Sequence, residues 1–317
     1  MTKEAEHAIE VERLTKRYGA LPAVDDISFT VRKGEVFAFL GANGAGKTTT
    51  VEIIETIRTP TSGKVSLLGM DVKKKRRNIL PRIGVLPQGF NSFDRITVRE
   101  TLRYYSQLFR CRDIDVDGLI DLVGLTEKTE EQFKNLSGGL KQRLGIAIAL
   151  VNDPEIVFLD EPTTGLDPRA RREVWKVLLD LKNKGKTVFL TTHYMEEAEL
   201  LADRVAIIAK GKIIATGSPE ALIESNAKYL VLTLQSAEES VSGIIRKIGF
   251  EPVHDNHRNI KVRLGHTDDV QKLLNAIKEG GASFLGLDVR KPNLEEVFLK
   301  LTGVTLHDDP AGEKGAE

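Results

Sequence analysis

The chain has 317 residues, enough for two domains, because a single core stops growing at about 250 to 300 residues. Lys plus Arg number 46 and Asp plus Glu also 46, so no net field draws the chain to DNA, RNA or anionic lipid, and any phosphate it binds must be held locally. Its one cysteine, Cys111, excludes an internal disulfide, fits a reducing compartment and reads as a plain helix residue.

In chain order, MTKEAEHAIE carries charge where a signal peptide needs an apolar region, so export of the chain is not expected. Residues 9 to 40 read as short strands. Within them Ile27, Phe29 and Val31 alternate with Ser28 and Thr30, as a half-buried antiparallel strand requires. GEVFAFLG is continuously apolar and runs through a glycine loop into KTTTVEIIETI, the pattern of a buried parallel strand feeding a helix. KKKRR, residues 73 to 77, reads as a solvated loop rather than a headgroup contact. Residues 91 to 152 are expected to be mostly helical. IVFLDEP and TVFLTTH are two further buried strands ending in polar residues. Between them Asp167 as N-cap, Pro168 and Gly185 bracket a helix with Val174, Val177, Leu178 and Leu181 on one face. The fold class is α/β with a parallel sheet.

After about residue 222 the order becomes strand, helix, strand, strand, helix, strand, that of the ferredoxin-like split βαβ unit. Ser236 with Glu239, and Asn293 with Glu296, have capping-box spacing. His254, His257 and His266 lack structural-zinc spacing, so they are assigned no metal. Leu294, Val297, Phe298 and Leu301 of the closing helix are expected to complete the small domain's core, with dimer contact or regulation as the other reading. Residues 305 to 317 read as a disordered tail. The greasy runs are strand-sized and fall short of the roughly 20 apolar residues that span a bilayer, so the chain is expected to be soluble by itself.

GANGAGKT, residues 41 to 48, matches G-x-x-x-x-G-K-[ST] between a strand and a helix, the context that gives the pattern meaning. Gly41, Gly44 and Gly46, with Asn43 and Ala45 between them and Thr49 beyond, let backbone N–H groups converge on phosphate at the positive end of a helix. Lys47 is expected on the β- and γ-phosphates and the Thr48 hydroxyl on Mg²⁺. Asp160 is positioned to hold the Mg²⁺ shell, and Glu161 to take a proton from attacking water, a role worth about 10² to 10⁴-fold. His193 can aim a donor at the γ-phosphate; its blander alternative is a packed core histidine. Gly41, Asp160, Glu161 and His193 all gather at strand carboxyl ends, where open α/β sheets bind ligands. A second anion grip stands at LSGGLKQR, where Ser137 is a natural N-cap, Gly138 and Gly139 follow, and Leu140, Leu144, Ile148 and Val151 line one face.

Tyr18, GANGAGKTT, Gln88, LSGGLKQR, IVFLDEP, GLDP and His193, in this order over about residues 8 to 220, resemble the ATP-binding subunit of an ATP-binding cassette (ABC) transporter. The resemblance implies a P-loop ATPase of ABC type over residues 1 to 221, with an antiparallel β subdomain and a helical subdomain at about 91 to 152, and an accessory domain at 222 to 304. It implies ATP and Mg²⁺ as ligands, Tyr18 stacked on adenine, and Gln88 linking the γ-phosphate and Mg²⁺ to the helical subdomain. Asp167 would communicate between two ATP sites. The resemblance further implies that a second copy, or a homologous ATPase subunit, packs head to tail, so that Ser137, Gly138 and Gly139 of one would close over the ATP of the other. On that expectation one chain needs two phosphate grips, the second serving its partner's nucleotide. Leu140 departs from the glutamine of many members.

The closing helix is similar to the tail of daunorubicin-resistance ATPases in the drug-exporter branch. This implies export through a polytopic membrane permease, with the chain on the cytoplasmic face of the membrane and no nucleic-acid partner. Phe90, Phe93 and Ile96 fit either a groove for that permease's cytoplasmic helix or the core of the helical subdomain. The rival reading is a cytosolic, non-transport ABC ATPase acting on ribosome or nucleic acid. Such relatives carry two cassettes or a long coiled coil, and this chain has neither. A non-hydrolytic regulator is opposed by the presence of Glu161 and His193.

Overall fold

A computed structural model describes residues 7–111, 113–254 and 259–303. His257 and the expected tail at 305 to 317 lie outside the described residues. The chain divides into two compact units, one ending at Pro219 and the other spanning Glu220–Gly303.

In the first unit a six-stranded sheet runs in the order Lys212–Gly217, Arg204–Ala209, Val36–Leu40, Thr187–Thr192, Ile156–Asp160 and Ile83–Leu86. All neighbours are parallel except the Lys212–Gly217 edge. Val36–Leu40, Thr187–Thr192 and Ile156–Asp160 are buried at every position, which is why each carries an unbroken apolar run rather than an alternating pattern, with polar residues only at the strand ends. A second, antiparallel sheet is led by Leu21–Arg32 and His7–Tyr18, each 12 residues long and so longer than the short strands expected. Ile27, Phe29 and Val31 point inward from it, and Phe29 stacks on Phe37 at 5.5 Å between centroids, joining the two sheets in one core.

The region from 91 to 152 is less helical than expected. Its helices are Val98–Leu108, Val116–Leu122 and Gly138–Ala149, separated by loops and single 3-10 turns. Cys111 is not a helix residue: the left-handed Arg110 breaks the chain out of the helix just before it. Phe90 packs edge-on against the buried Phe133 at 6.0 Å, whereas Phe93 is 53% exposed, so the two readings of this segment divide residue by residue. Lys73 to Arg77 are all exposed, as a solvated segment should be. The helix Pro168–Asn183 is capped by Asp167, opens on Pro168 and buries Val174, Val177, Leu178 and Leu181.

The second unit alternates Leu230–Gln235, helix Glu239–Lys247, Pro252–His254, Ile260–Leu264, helix Asp268–Glu279 and Gly286–Arg290. Its antiparallel sheet has the order Pro252–His254, Ile260–Leu264, Leu230–Gln235, Gly286–Arg290. The Asn293–Glu296 capping box is formed, and Leu294, Val297 and Phe298 of the helix Leu294–Thr302 are buried. The Ser236 cap is not formed. Ser236 takes a left-handed φ of 47° as its N–H donates to Asn259 Oδ1, and the N-cap position falls on Glu238. Among the described residues no helix is long and apolar enough to cross a membrane.

Candidate functional site

The strand Val36–Leu40 delivers the loop 41–46 to the helix Lys47–Ile54. Only glycine fits at its two ends. A Cβ on Gly41 would lie 2.6 Å from the Ile208 carbonyl oxygen, and one on Gly46, at φ 104°, 2.4 Å from that of Ala23. Asn43, Gly44 and Thr48 face solvent, Thr49 is half-buried and Ala45 is buried. Lys47 is 5% exposed and curls back across its own loop: Nζ donates to Gly41 O at 2.7 Å and Ala42 O at 3.3 Å. Burial pushes its pKa down, while Glu161 and Asp160 pull it back up.

Asp160 ends a fully buried strand and accepts a hydrogen bond from Thr191 Oγ1, its register partner on the next strand. Burial pushes its carboxyl up. Glu161 has φ 49°, the left-handed region that non-glycine residues rarely occupy. Its N–H donates to Thr191 at O and Oγ1, and its carboxylate becomes the hub of the cleft. Oε1 lies 3.3 Å from Lys47 Nζ. Oε2 accepts from Thr164 Oγ1 at 3.0 Å and from Gln88 Nε2 at 3.3 Å. His193 Nδ1 also lies 3.3 Å from Oε2. Burial alone would raise the Glu161 carboxyl; His193, Lys47 and Thr164 reverse that and bring it to about 2.

The remaining expected residues stand apart from this hub. Tyr18, 44% exposed at the tip of its hairpin, has Lys16 Nζ 5.3 Å and Arg58 5.8 Å from its ring centre. Ser137 caps Gly138–Ala149 through a long 3.5 Å bond from Leu140 N–H. Ser137 and Gly138 are exposed, while Gly139 is buried so close to the next helix that a Cβ would sit 2.6 Å from Ala170 Cβ. Leu144, Ile148 and Val151 anchor this segment in the core, although Val151 falls just past the helix end. Asp167 accepts from Arg169 and Ala170 N–H, both at 2.9 Å, and so spends its carboxylate on its own helix. Sequence reasoning missed Thr191 and Thr164. Thr191 was legible as the residue before Thr192-His193, but its pairing with Asp160 depends on sheet register.

These residues fit a nucleotide with magnesium. Thr48, Gln88 and Asp160 offer hard oxygen donors, while no cluster of three His, Cys, Asp or Glu among the described residues could hold a metal unaided. Magnesium suits that economy, because it takes one or two carboxylates and completes its shell with substrate phosphates and water.

The sequence profile of the ABC transporter family matches residues 24–164. A Nod factor export ATP-binding protein I from Rhizobium meliloti (strain 1021) is 40% identical over 309 residues, 95% of this chain and 90% of that protein. Among solved structures, cbiO1 from Clostridium perfringens, part of the ABC transporter complex cbiONQ, has a TM-score of 0.61 and 25% identity over 77% of this chain and 96% of its own. A dimeric bacterial ABC transporter cassette has a TM-score of 0.59 and 25% identity over 66% of this chain and 98% of its own. With the phosphate loop, the strand-end acids and the signature helix all present, this chain belongs to the ABC transporter family as one of its ATP-binding, ATP-hydrolysing subunits.

Proposed function

We propose that two copies of this chain, or one copy and a homologous ATPase subunit, bind two ATP molecules head to tail and drive export through a separate polytopic membrane subunit. The observation that carries the hydrolytic part is the meeting of Lys47, Gln88 and His193 on the single carboxylate of Glu161. Lys47 and His193 are the groups that a γ-phosphate would take. While both face Glu161, that carboxylate is held near 2 and is a poor base. Once they turn to the phosphate, Glu161 loses partners that hold its carboxyl down, its proton affinity rises, and it accepts the proton of the attacking water. Thr48, Gln88 and Asp160 would hold magnesium, which would supply positive charge against the phosphates. Asn43, Gly44, Ala45 and Gly46 supply backbone N–H groups to the phosphates, and Tyr18 supplies the ring for adenine.

Ser137 and Gly138 are exposed, and among the described residues no hydrogen bond joins them to the hub. This supports the reading that Ser137, Gly138 and Gly139 serve a partner's nucleotide, with Asp167 beside them. Taking such a pair from 1:99 to 99:1 closed requires about 5.5 kcal/mol. One or two added hydrogen bonds to charged phosphate at each site, about 1.5 to 3 kcal/mol apiece, are enough.

Export is the direction in the names of its relatives. The exposed Phe93, Tyr104, Leu108 and Phe109 support a contact with the membrane subunit there, the chain then lying peripherally on the cytoplasmic face of the membrane. The test is to tag the Glu161→Gln form, hold it with ATP in gently solubilised native membranes, and identify what copurifies. A polytopic protein supports transport; ribosomes or soluble partners alone would overturn it.

A further inference from the structure

One buried carboxylate beside this site has no part in the mechanism above. Glu197 lies in the helix Met195–Leu201, four residues after His193, and is 0% exposed. Its Oε1 accepts from Thr163 Oγ1 at 2.8 Å and from Trp175 Nε1 at 2.9 Å. Thr163 is two residues past Glu161, and Trp175 belongs to the helix capped by Asp167. A parallel link runs outside it: Arg171 of that same helix covers the Tyr194 ring at 4.0 Å, and Tyr194 packs on the His193 ring at 4.2 Å. Burial pushes the Glu197 carboxyl up, and its Oε2 has no hydrogen-bond partner among the described residues.

A wholly buried acid is a costly filler where leucine would pack. What it adds is direction, because two donors from two other segments meet on one oxygen. We propose that Glu197 is a positioning residue for ATP hydrolysis, latching the segment that carries His193 to the loop behind Glu161 and to the helix capped by Asp167. The inference rests on the roles given above to Glu161 and His193. Movement of Asp167 in a closing pair would then reach His193 through Trp175 and Glu197 as one body rather than through a loose loop.

Trp175 is the chain's one tryptophan, so the latch carries its own reporter. The experiment compares Glu197→Leu and Glu197→Gln in the full chain by kcat and KM with magnesium-ATP, by ATP-binding titration, and by Trp175 emission. Leucine removes the acceptor and should lower kcat about tenfold or more, as misplacement of a reacting group does, while ATP affinity stays within about threefold. Its indole emission should shift, since the N–H has lost its partner. Glutamine restores the oxygen and should return both kcat and emission close to wild type.

A folded leucine variant with wild-type kcat overturns the proposal, as does a parallel loss of kcat and affinity that glutamine fails to repair. If leucine prevents folding, Trp175→Phe removes only the N–H: a reduced kcat at constant KM supports the latch, and an unchanged kcat overturns it. The Glu161→Gln control separates the two layers. If it hydrolyses ATP like wild type, the reading of the site falls and this inference with it. If it is inactive and Glu197→Leu is not impaired, only the latch falls.

Discussion

Replacing Glu161 by glutamine in the free chain removes the negative end of the Lys47 contact at 3.3 Å and leaves an oxygen in its place. Losing one member of a buried ion pair costs about 3 to 5 kcal/mol when the other charge is left bare. Lys47 is not left bare, since it keeps the Gly41 and Ala42 carbonyls and the field of Asp160, so we expect about 1 to 2 kcal/mol. For a unit of about 150 to 250 residues this lowers Tm by about 2 to 8 °C. The same energy returns on binding. A γ-phosphate no longer competes with Glu161 for Lys47, and ATP should bind about 5- to 30-fold tighter. The pH dependence has a definite sign. Glu161 falls from 4.5 to about 2 on folding, so its contribution is whole above 4.5 and is lost as pH falls through about 2. The deficit of the glutamine form should therefore shrink below pH 4.5. Thermal melts from neutral to acid pH, with calorimetric ATP titration of both forms, measure all of this. A variant that melts at or above wild type at neutral pH and binds ATP no more tightly would refute the reasoning.

Gly46→Ala must place a Cβ 2.4 Å from the Ala23 oxygen at φ 104°, so it should cost about 3 kcal/mol or more and abolish ATP binding. Gly44→Ala, at φ 77° with nothing within 4 Å, should cost only about 1 kcal/mol in denaturant unfolding. Burial, then Asp160 and Glu52, raise the Glu55 carboxyl from 4.5 to about 8. A raised acid stabilises the fold below 4.5 and loses that contribution as pH rises through about 8, so Glu55→Gln should gain about 2 to 4 kcal/mol on wild type across that window; a gain that does not change with pH contradicts it. In the second unit Asn293→Ala should cost about 1 kcal/mol, because its capping box is formed. Ser236→Ala should cost under about 0.5 kcal/mol, because Ser236 caps nothing.

What could be read in the sequence was what depends on local order. The P-loop glycines, the buried strands and the Asp167 cap each follow from a few adjacent residues, and each stands where the pattern put it. What could not be read depends on register or on one dihedral. Thr191 meets Asp160 because two parallel strands align Asp160 with Thr191, and no spacing within either strand says so. Ser236 and Glu239 have capping spacing, yet a left-handed Ser236 moves the cap to Glu238. The Glu197 latch joins residues 163, 175 and 197 across three segments, so in sequence the acid looks like its neighbours Glu196 and Glu199 in the same helix.

The acids of the cleft also explain why the site asks for a cation. Asp160 and Glu55 are both pushed up by burial and raised further by neighbouring carboxylates, Glu161 and Glu52 among them. Lys47 is a buried lysine in the field of Asp160, and it is already shared between Glu161 and two carbonyl oxygens. Negative charge is therefore in surplus where the strands end, and the fold holds it at an electrostatic cost. A divalent ion held by Asp160, Thr48 and Gln88 would offset the surplus, leaving Lys47 to face phosphate. On the role proposed for Glu161, loading the site and raising its proton affinity would be one electrostatic event, because the partners that hold its carboxyl near 2 are those a phosphate would take.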